Sequence, residues 1–187
     1  MIEKLIEIIK TDLSTWLDDP SKWDSLIINR RKPHTYRVFR QINWKDRICL
    51  HKFNPCDTHE AFLHPHGWPA AFIILHGSYR MRLGSAIDHR AKPWISEELI
   101  LNKGSAYSIL SPMTFHSITP LEECYTVMIN SCPFNNPHSE VRTTKGKDLD
   151  KMEEKDLIEH LNIFKYLVKE YNKPKHKIEG VKDAQST

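Results

Sequence analysis

Apolar positions along the first seventeen residues fall at Ile2, Leu5, Ile6, Ile9, Leu13, Trp16 and Leu17. Intervals of three and four residues put them on one stripe, so the chain is expected to open on an amphipathic helix packed against its own core. Asp18-Asp19-Pro20 ends that pattern, and Ser21-Lys22-Trp23-Asp24 is expected to start a short second helix with Ser21 as its cap. From Pro33 the period changes. Up to about Asn130, short runs rich in Val, Ile, Tyr and Phe recur at 36–42, 47–53, 61–66, 70–76, 79–83, 98–101, 106–110, 116–119 and 125–130. Asn54-Pro55, Gly67-Trp68-Pro69, His76-Gly77, Asn102-Lys103-Gly104 and Ser111-Pro112 mark turns between them. Many short strands at such spacing predict a mainly β sandwich or barrel. After Pro137 the pattern turns polar, until a long helix is expected from Asp150, with Asp150 and Glu153 at capping-box spacing. Leu157, Leu161, Phe164, Leu167, Val168 and Tyr171 form its apolar stripe. The expected organisation is a helical segment over 1–33, a β-barrel over 34–137, a C-terminal helical segment over 138–172 docked outside it, and a flexible tail over 173–187.

Composition narrows the partners. With 187 residues, 40% of them hydrophobic and 27% charged, the chain is expected to be one soluble domain with peripheral helices. A net charge of +3, with Lys and Arg mixed among acids, gives no basis for a nucleic-acid partner. No apolar run approaches the roughly 18 residues that suggest a membrane span. Cys49, Cys56, Cys124 and Cys132 lack the paired spacing of a zinc knuckle, no signal peptide precedes them, and reduced thiols in a cytoplasmic protein are expected. The expected partner is a small-molecule substrate, with a homodimer left open.

The eleven histidines carry the chemistry. His64 and His66 stand two apart in a strand-like stretch, and alternation sends both imidazoles to one side, which is half a metal site. His59 has opposite parity to His64 and is read as a loop residue. His76 shares parity with His66, but ten residues of continuous strand would separate them by roughly 33 Å, so it is read as a surface or turn histidine. Arg80 and Arg82 are read as a solvated face, Trp68 and Trp94 as caps on the barrel ends, and Tyr107 and Tyr125 as core aromatics. Glu60 and Glu98 are the nearest acids to such a ligand set, and neither sits where a carboxylate ligand is expected.

The strand region resembles the cupin superfamily, whose first motif reads Gly-x5-His-x-His-x3,4-Glu-x6-Gly. His64 and His66 take the histidine places, Ala70 stands where the glutamate would be, Gly77 closes the motif, and the leading glycine is absent. The second motif, Gly-x5-Pro-x-Gly-x2-His-x3-Asn, is matched loosely by Gly104, Pro112 and His116. The resemblance implies a cupin-type double-stranded β-helix barrel, or jelly roll, with the N-terminal and C-terminal amphipathic helices outside. It also implies that His116 joins His64 and His66 as third metal ligand. Imidazole suits Fe, Zn, Ni and Cu. Without a carboxylate the metal charge is uncompensated, which favours an anionic substrate.

Among cupins the all-histidine arrangement resembles that of the thiol dioxygenases, which use ferrous iron and dioxygen to oxidise a small thiol such as cysteine to its sulfinic acid. Fe(II) is therefore the expected cofactor, with Zn, Ni or Mn as alternatives. The passage His34-Thr-Tyr-Arg-Val-Phe-Arg is similar to the early strand on which those enzymes hold the substrate carboxylate, which implies Arg37, or failing it Arg40, as the clamp. Arg47-Ile-Cys-Leu-His-Lys-Phe-Asn-Pro and Ser131-Cys-Pro-Phe are also similar in type. The tyrosine near their metal would fall at about Asn130, and the cysteine sometimes crosslinked to it at Ala70. A non-catalytic or degenerate small-ligand-binding cupin, and a metal-dependent isomerase or lyase, are the alternatives, because this barrel hosts many reactions.

Overall fold

In the computed structural model the described residues are 1–87, 92–134 and 149–174. Among them the chain forms helices α1 (Ile2–Thr11) and α2 (Leu13–Trp16), a 3-10 turn (Pro20–Lys22), and strands β1 (Asp24–Ile28), β2 (Thr35–Gln41), β3 (Arg47–Phe53), β4 (His64–Pro65) and β5 (Ala70–His76). Strands β6 (Ser78–Ser85), β7 (Trp94–Asn102), β8 (Ala106–Ile109), β9 (Thr114–Pro120) and β10 (Cys124–Asn130) follow, then helix α3 (Glu154–Tyr171). One sheet has the order β1-β2-β3-β10-β5-β8 and the other β4-β9-β6-β7.

The pairing is nested and antiparallel: β3 with β10, β4 with β9, β5 with β8, β6 with β7. A long hairpin folded over itself in this way is the double-sheet jelly roll, with β1 and β2 added on one edge. The β5–β6 turn depends on Gly77. Its φ is +76°, and a Cβ there would lie 2.6 Å from the Glu123 carbonyl oxygen, so a side chain is excluded on both counts.

Both faces of the larger sheet are buried, which accounts for the apolar run Ala70–Leu75 of β5 and for the burial of every residue of β10. Ile48 and Leu50 of β3, Ala71, Ile73 and Leu75 of β5, and Val127 and Ile129 of β10 point outward. They pack against Leu5, Ile8, Ile9 and Leu13 of the N-terminal helices and Leu161, Phe164 and Val168 of α3. Each such side chain, taken fully out of water, contributes roughly 1.5–3 kcal/mol. The alternate residues, Cys49, Phe53, Ala70, Phe72, Ile74, Cys124 and Met128, face the barrel interior. Free cysteines are found at all four positions. No helix among the described residues is long and apolar enough to cross a membrane.

Several local expectations are corrected. The opening helix breaks at Asp12 into α1 and α2. Asp19, not Ser21, caps the 3-10 turn, accepting from the Ser21 backbone N–H, and the chain then runs into β1 rather than a helix. The C-terminal helix starts at Glu154, because the Asp150 carbonyl is taken up by the Ile27 amide at 2.7 Å and pins that residue to β1. The strand expected over 61–66 contracts to His64–Pro65, since proline offers no N–H to extend the ladder. Trp94 is 51% exposed and caps nothing. Of the tail expected to be flexible, residues 175–187 lie outside the described residues, as do 138–148 of the C-terminal segment.

One packing feature yields a pH prediction. His160, on the inner face of α3, is 5% exposed, rests against Phe164 and donates a ring N–H to the Leu50 carbonyl. Burial lowers its pKa from 6.5 to about 4. The unfolded chain then binds more protons between those values, so the stability tied to neutral His160 is complete above pH 6.5 and drains away as pH falls toward 4. The full swing is on the order of 3 kcal/mol. His160→Gln should flatten the fall in unfolding temperature between pH 7 and pH 4.5; equally steep profiles would refute this assignment.

Candidate metal centre

Nested pairing brings the histidines together. β4 and β9 lie side by side with His64 opposite His116, and His66 follows one residue beyond β4 on the same side as His64. One imidazole nitrogen from each of the three lies within 4.8 Å of the others. His66 Nε2 and His116 Nε2 are 2.8 Å apart. Two nitrogens each about 2.1 Å from one ion at a right angle would be about 3 Å apart, so this pair fits adjacent ligand positions. His64 Nδ1 lies 3.0 Å from the Phe62 carbonyl oxygen, which assigns the proton to Nδ1 and leaves Nε2 a lone pair for metal. Burial, then the neighbouring His64 and His66, hold the His116 pKa well below 6.5, so it is present as the neutral imidazole that metals bind. The His116 Nδ1 is buried with no hydrogen-bond partner among the described residues, so Phe72 and Tyr107, with ring centroids 5.9 and 6.2 Å away, set its orientation. The donor set fits a divalent metal of the imidazole-binding group.

The cluster lines a cavity of about 170 Å³ walled by Phe53, Phe72, Ile118 and Met128. Arg37 lines it too, and its Nε donates to His51 Nε2 at 2.8 Å. The two residues are register partners on β2 and β3, and Thr126 of β10 is the register partner of His51 on its other side. Burial, reinforced by the Arg37 charge, pushes the His51 pKa well down, so its Nε2 is available as an acceptor. Arg31 and Lys32 line the mouth, Arg31 lying over the Phe62 ring at 4.1 Å and Lys32 pairing with Glu60 at 2.6 Å. Among the described residues no carboxylate lines the cavity.

The two candidate arginines separate cleanly. Being three apart on β2 they point to opposite faces: Arg37 enters the cavity, whereas Arg40 lies outside, over the rings of Trp16 and Trp23 at 4.8 and 5.8 Å. Arg40 is thereby removed from the site. Ala70 is fully buried among Cys49, Phe72 and Met128, so no acid occupies the glutamate position. Glu60 is held by Lys32 and Glu98 by Arg80, so neither joins the cluster. His59 and His76 are exposed and stay apart from it. Arg82 is half-buried rather than fully solvated, and donates to Ser117 Oγ and to the Thr58 carbonyl.

Two residues in the site were not singled out for it. His51 sits alone in an apolar run, and only the β2–β3 register reveals its bond to Arg37. Tyr107 lines the cavity from β8, stacked on Phe72 at 4.6 Å and receiving the Tyr79 hydroxyl at 3.0 Å. Burial raises the pKa of both tyrosines, so both remain protonated. Asn130, the place aligned with a tyrosine, is instead a buried strut whose amide, assigned by its partners, bridges the Arg47 carbonyl and Trp68 Nε1.

The strand order defines a double-sheet jelly roll, and the three convergent imidazoles on it make a candidate mononuclear metal site. Solved structures of similar fold include hydroxypropylphosphonic acid epoxidase from S. wedmorenis, at 15% identity and a TM-score of 0.44, covering 60% of this chain and 56% of that one. Fe(II)-HppE with the alternative substrate (S)-1-HPP matches at 15% and 0.44 over 60% and 57%, and KdgF from Halomonas sp. at 15% and 0.42 over 57% and 87%. The chain thus spans a little over half the length of the epoxidase. No protein-family model matches the sequence, and no curated protein matches it at a significant level.

Proposed function

We propose that this protein is a mononuclear non-haem Fe(II) dioxygenase that oxidises a small anionic thiol. The observation that carries this reading is the placement of three imidazole nitrogens within 4.8 Å of one another on the wall of a cavity that Arg37 enters and that no carboxylate lines among the described residues. His64, His66 and His116 are the ligands. A ferrous ion held by them would supply open coordination positions for thiolate and dioxygen and the electrons that activate oxygen. Both atoms of dioxygen end on sulfur, so that RSH and O2 give RSO2H with no further reductant.

The chain's own groups then have defined tasks. Arg37 binds the substrate carboxylate through paired N–H donors and fixes its distance from the ligand cluster. Phe53, Phe72, Ile118 and Met128 exclude water from the reacting end. Tyr107 Oη accepts a hydrogen bond from the Tyr79 hydroxyl, which leaves its own hydroxyl hydrogen free to be donated into the cavity. The volume, about 170 Å³, falls below the ~300–1,000 Å³ of drug-sized sites and suits an amino-acid-sized thiol.

Oxygen uptake by Fe(II)-loaded protein with cysteine, 3-mercaptopropionate and cysteamine tests the reading. Uptake matched mole for mole by sulfinic acid is expected with the first two, and slower uptake with cysteamine, which lacks the carboxylate. Stoichiometric iron with no uptake on any of the three would sink the dioxygenase assignment and favour a ligand-binding barrel.

A further inference from the structure

Within the proposed site, the row Thr126–His51–Arg37 crosses three adjacent strands on their interior face. Arginine has donors only, so the 2.8 Å contact requires His51 Nε2 to carry a lone pair and its Nδ1 to carry the proton. Thr126 Oγ1 lies 3.5 Å from that Nδ1, and the Phe53 ring is stacked on His51 with centroids 5.3 Å apart, so the imidazole is held on two sides. Nε of Arg37 is thus committed to His51, while no hydrogen bond from its two Nη groups is found among the described residues. A guanidinium can meet a carboxylate side-on, through Nε and one Nη, or end-on, through both Nη groups. His51 removes the first mode.

We propose that His51 is a positioning residue that locks the Arg37 guanidinium for end-on recognition of a carboxylate, and so decides the substrate's anionic group and its orientation. This rests on the reading of the cavity as a substrate site but not on the oxidation chemistry. A planar two-oxygen anion matches the Nη fork, whereas an uncharged isostere presents an amide N–H₂ to a donor. Losing His51 frees the guanidinium to rotate about its side chain, which weakens the carboxylate contact without removing the charge.

The test uses propionate as a carboxylate probe that has no thiol, and propionamide as its uncharged counterpart, followed by NMR titration of the full-length protein as purified. Wild type should bind propionate at least tenfold more tightly than propionamide. His51→Leu should lose about tenfold for propionate and change little for propionamide. His51→Gln, whose amide oxygen can accept the Arg37 Nε–H, should stay within about threefold of wild type. In an Arg37→Gln background, adding His51→Leu should have no further effect, because the two residues would act as one unit. Propionate binding that is absent in wild type, unchanged in His51→Leu, lost in His51→Gln, or lowered additively in the double variant would overturn the proposal. Should His51→Leu fail to fold, His51→Phe, which keeps a ring stacked on Phe53 but offers no acceptor, takes its place with the same tenfold loss expected and the same outcomes overturning the proposal. Oxygen uptake is read separately: carboxylate binding that depends on His51 without any oxidation would refute the dioxygenase reading and leave this one standing.

Discussion

His64→Ala combined with His116→Ala should abolish specific divalent-metal binding and leave the barrel folded. Two of the three convergent nitrogens disappear, and the remaining His66 is a single-point ligand. Losing even an outer partner of a ligand costs about 10–100-fold in affinity, and losing two ligands costs more than that. The fold has little stake in either side chain. His64 is half-buried on a two-residue edge strand, and truncating His116 enlarges a cavity that already exists rather than opening a sealed void. It also removes a buried Nδ1 that has no hydrogen-bond partner among the described residues. Metal at a hundred times its dissociation constant stabilises a folded protein by about 2.7 kcal/mol, which for a chain of this size corresponds to roughly 5–10 °C in unfolding temperature. Wild type stripped with chelator should regain that increment on Fe(II) addition, while the double variant should show the metal-free transition with or without iron. A retained thermal shift, or metal still bound after gel filtration, would show that the ion sits elsewhere.

How much of this could be read beforehand depends on what each residue type reveals without its neighbours. β5 and β10 were legible as predominantly apolar runs because helices cover the outside of their sheet and both faces are buried. That same coverage hid the facing of β2: with Tyr36, Val38 and Phe39 all partly or fully buried, no polar face marked which arginine pointed inward. β1 escaped notice because Asp24-Ser-Leu-Ile-Ile is short, follows Pro20, and begins with residues that also start helices.

The metal cluster was more legible than the groups around it. His64 and His66 share a side by strand alternation alone, and Gly77 fixed the end of their motif through a backbone angle that other residues rarely adopt. His116 needed the fold, since only nested pairing of β4 with β9 places a residue fifty positions downstream beside the first pair. His51 needed the register as well. The β2–β3 hairpin is closed by Asn43, whose side chain accepts from the Lys45 and Asp46 amides. Pairing Gln41 with Arg47 across that turn puts Arg37 opposite His51, so a single turn assignment would have found the dyad.

Arg37→Met should cut kcat/KM for 3-mercaptopropionate by about 10²–10³-fold while changing that for cysteamine by less than about threefold. Truncating one member of a buried hydrogen-bonded charge pair costs about 2–5 kcal/mol, which brackets that range of discrimination. Cysteamine has no carboxylate and so loses nothing. Arg37→Lys separates charge from geometry: an ammonium keeps the positive charge but lacks the paired fork, and its shorter reach cannot satisfy His51 and a carboxylate together. It should recover a few-fold of the loss and no more. Stability should move the other way. The half-buried guanidinium meets a neutral imidazole and, among the described residues, no carboxylate lines the cavity, so desolvation lowers its pKa and its charge works against the folded state. Arg37→Met is accordingly expected to unfold at the same temperature as wild type or slightly higher. A variant that lost activity equally on both thiols, or that lost activity and stability together, would show that Arg37 holds the barrel and not the substrate.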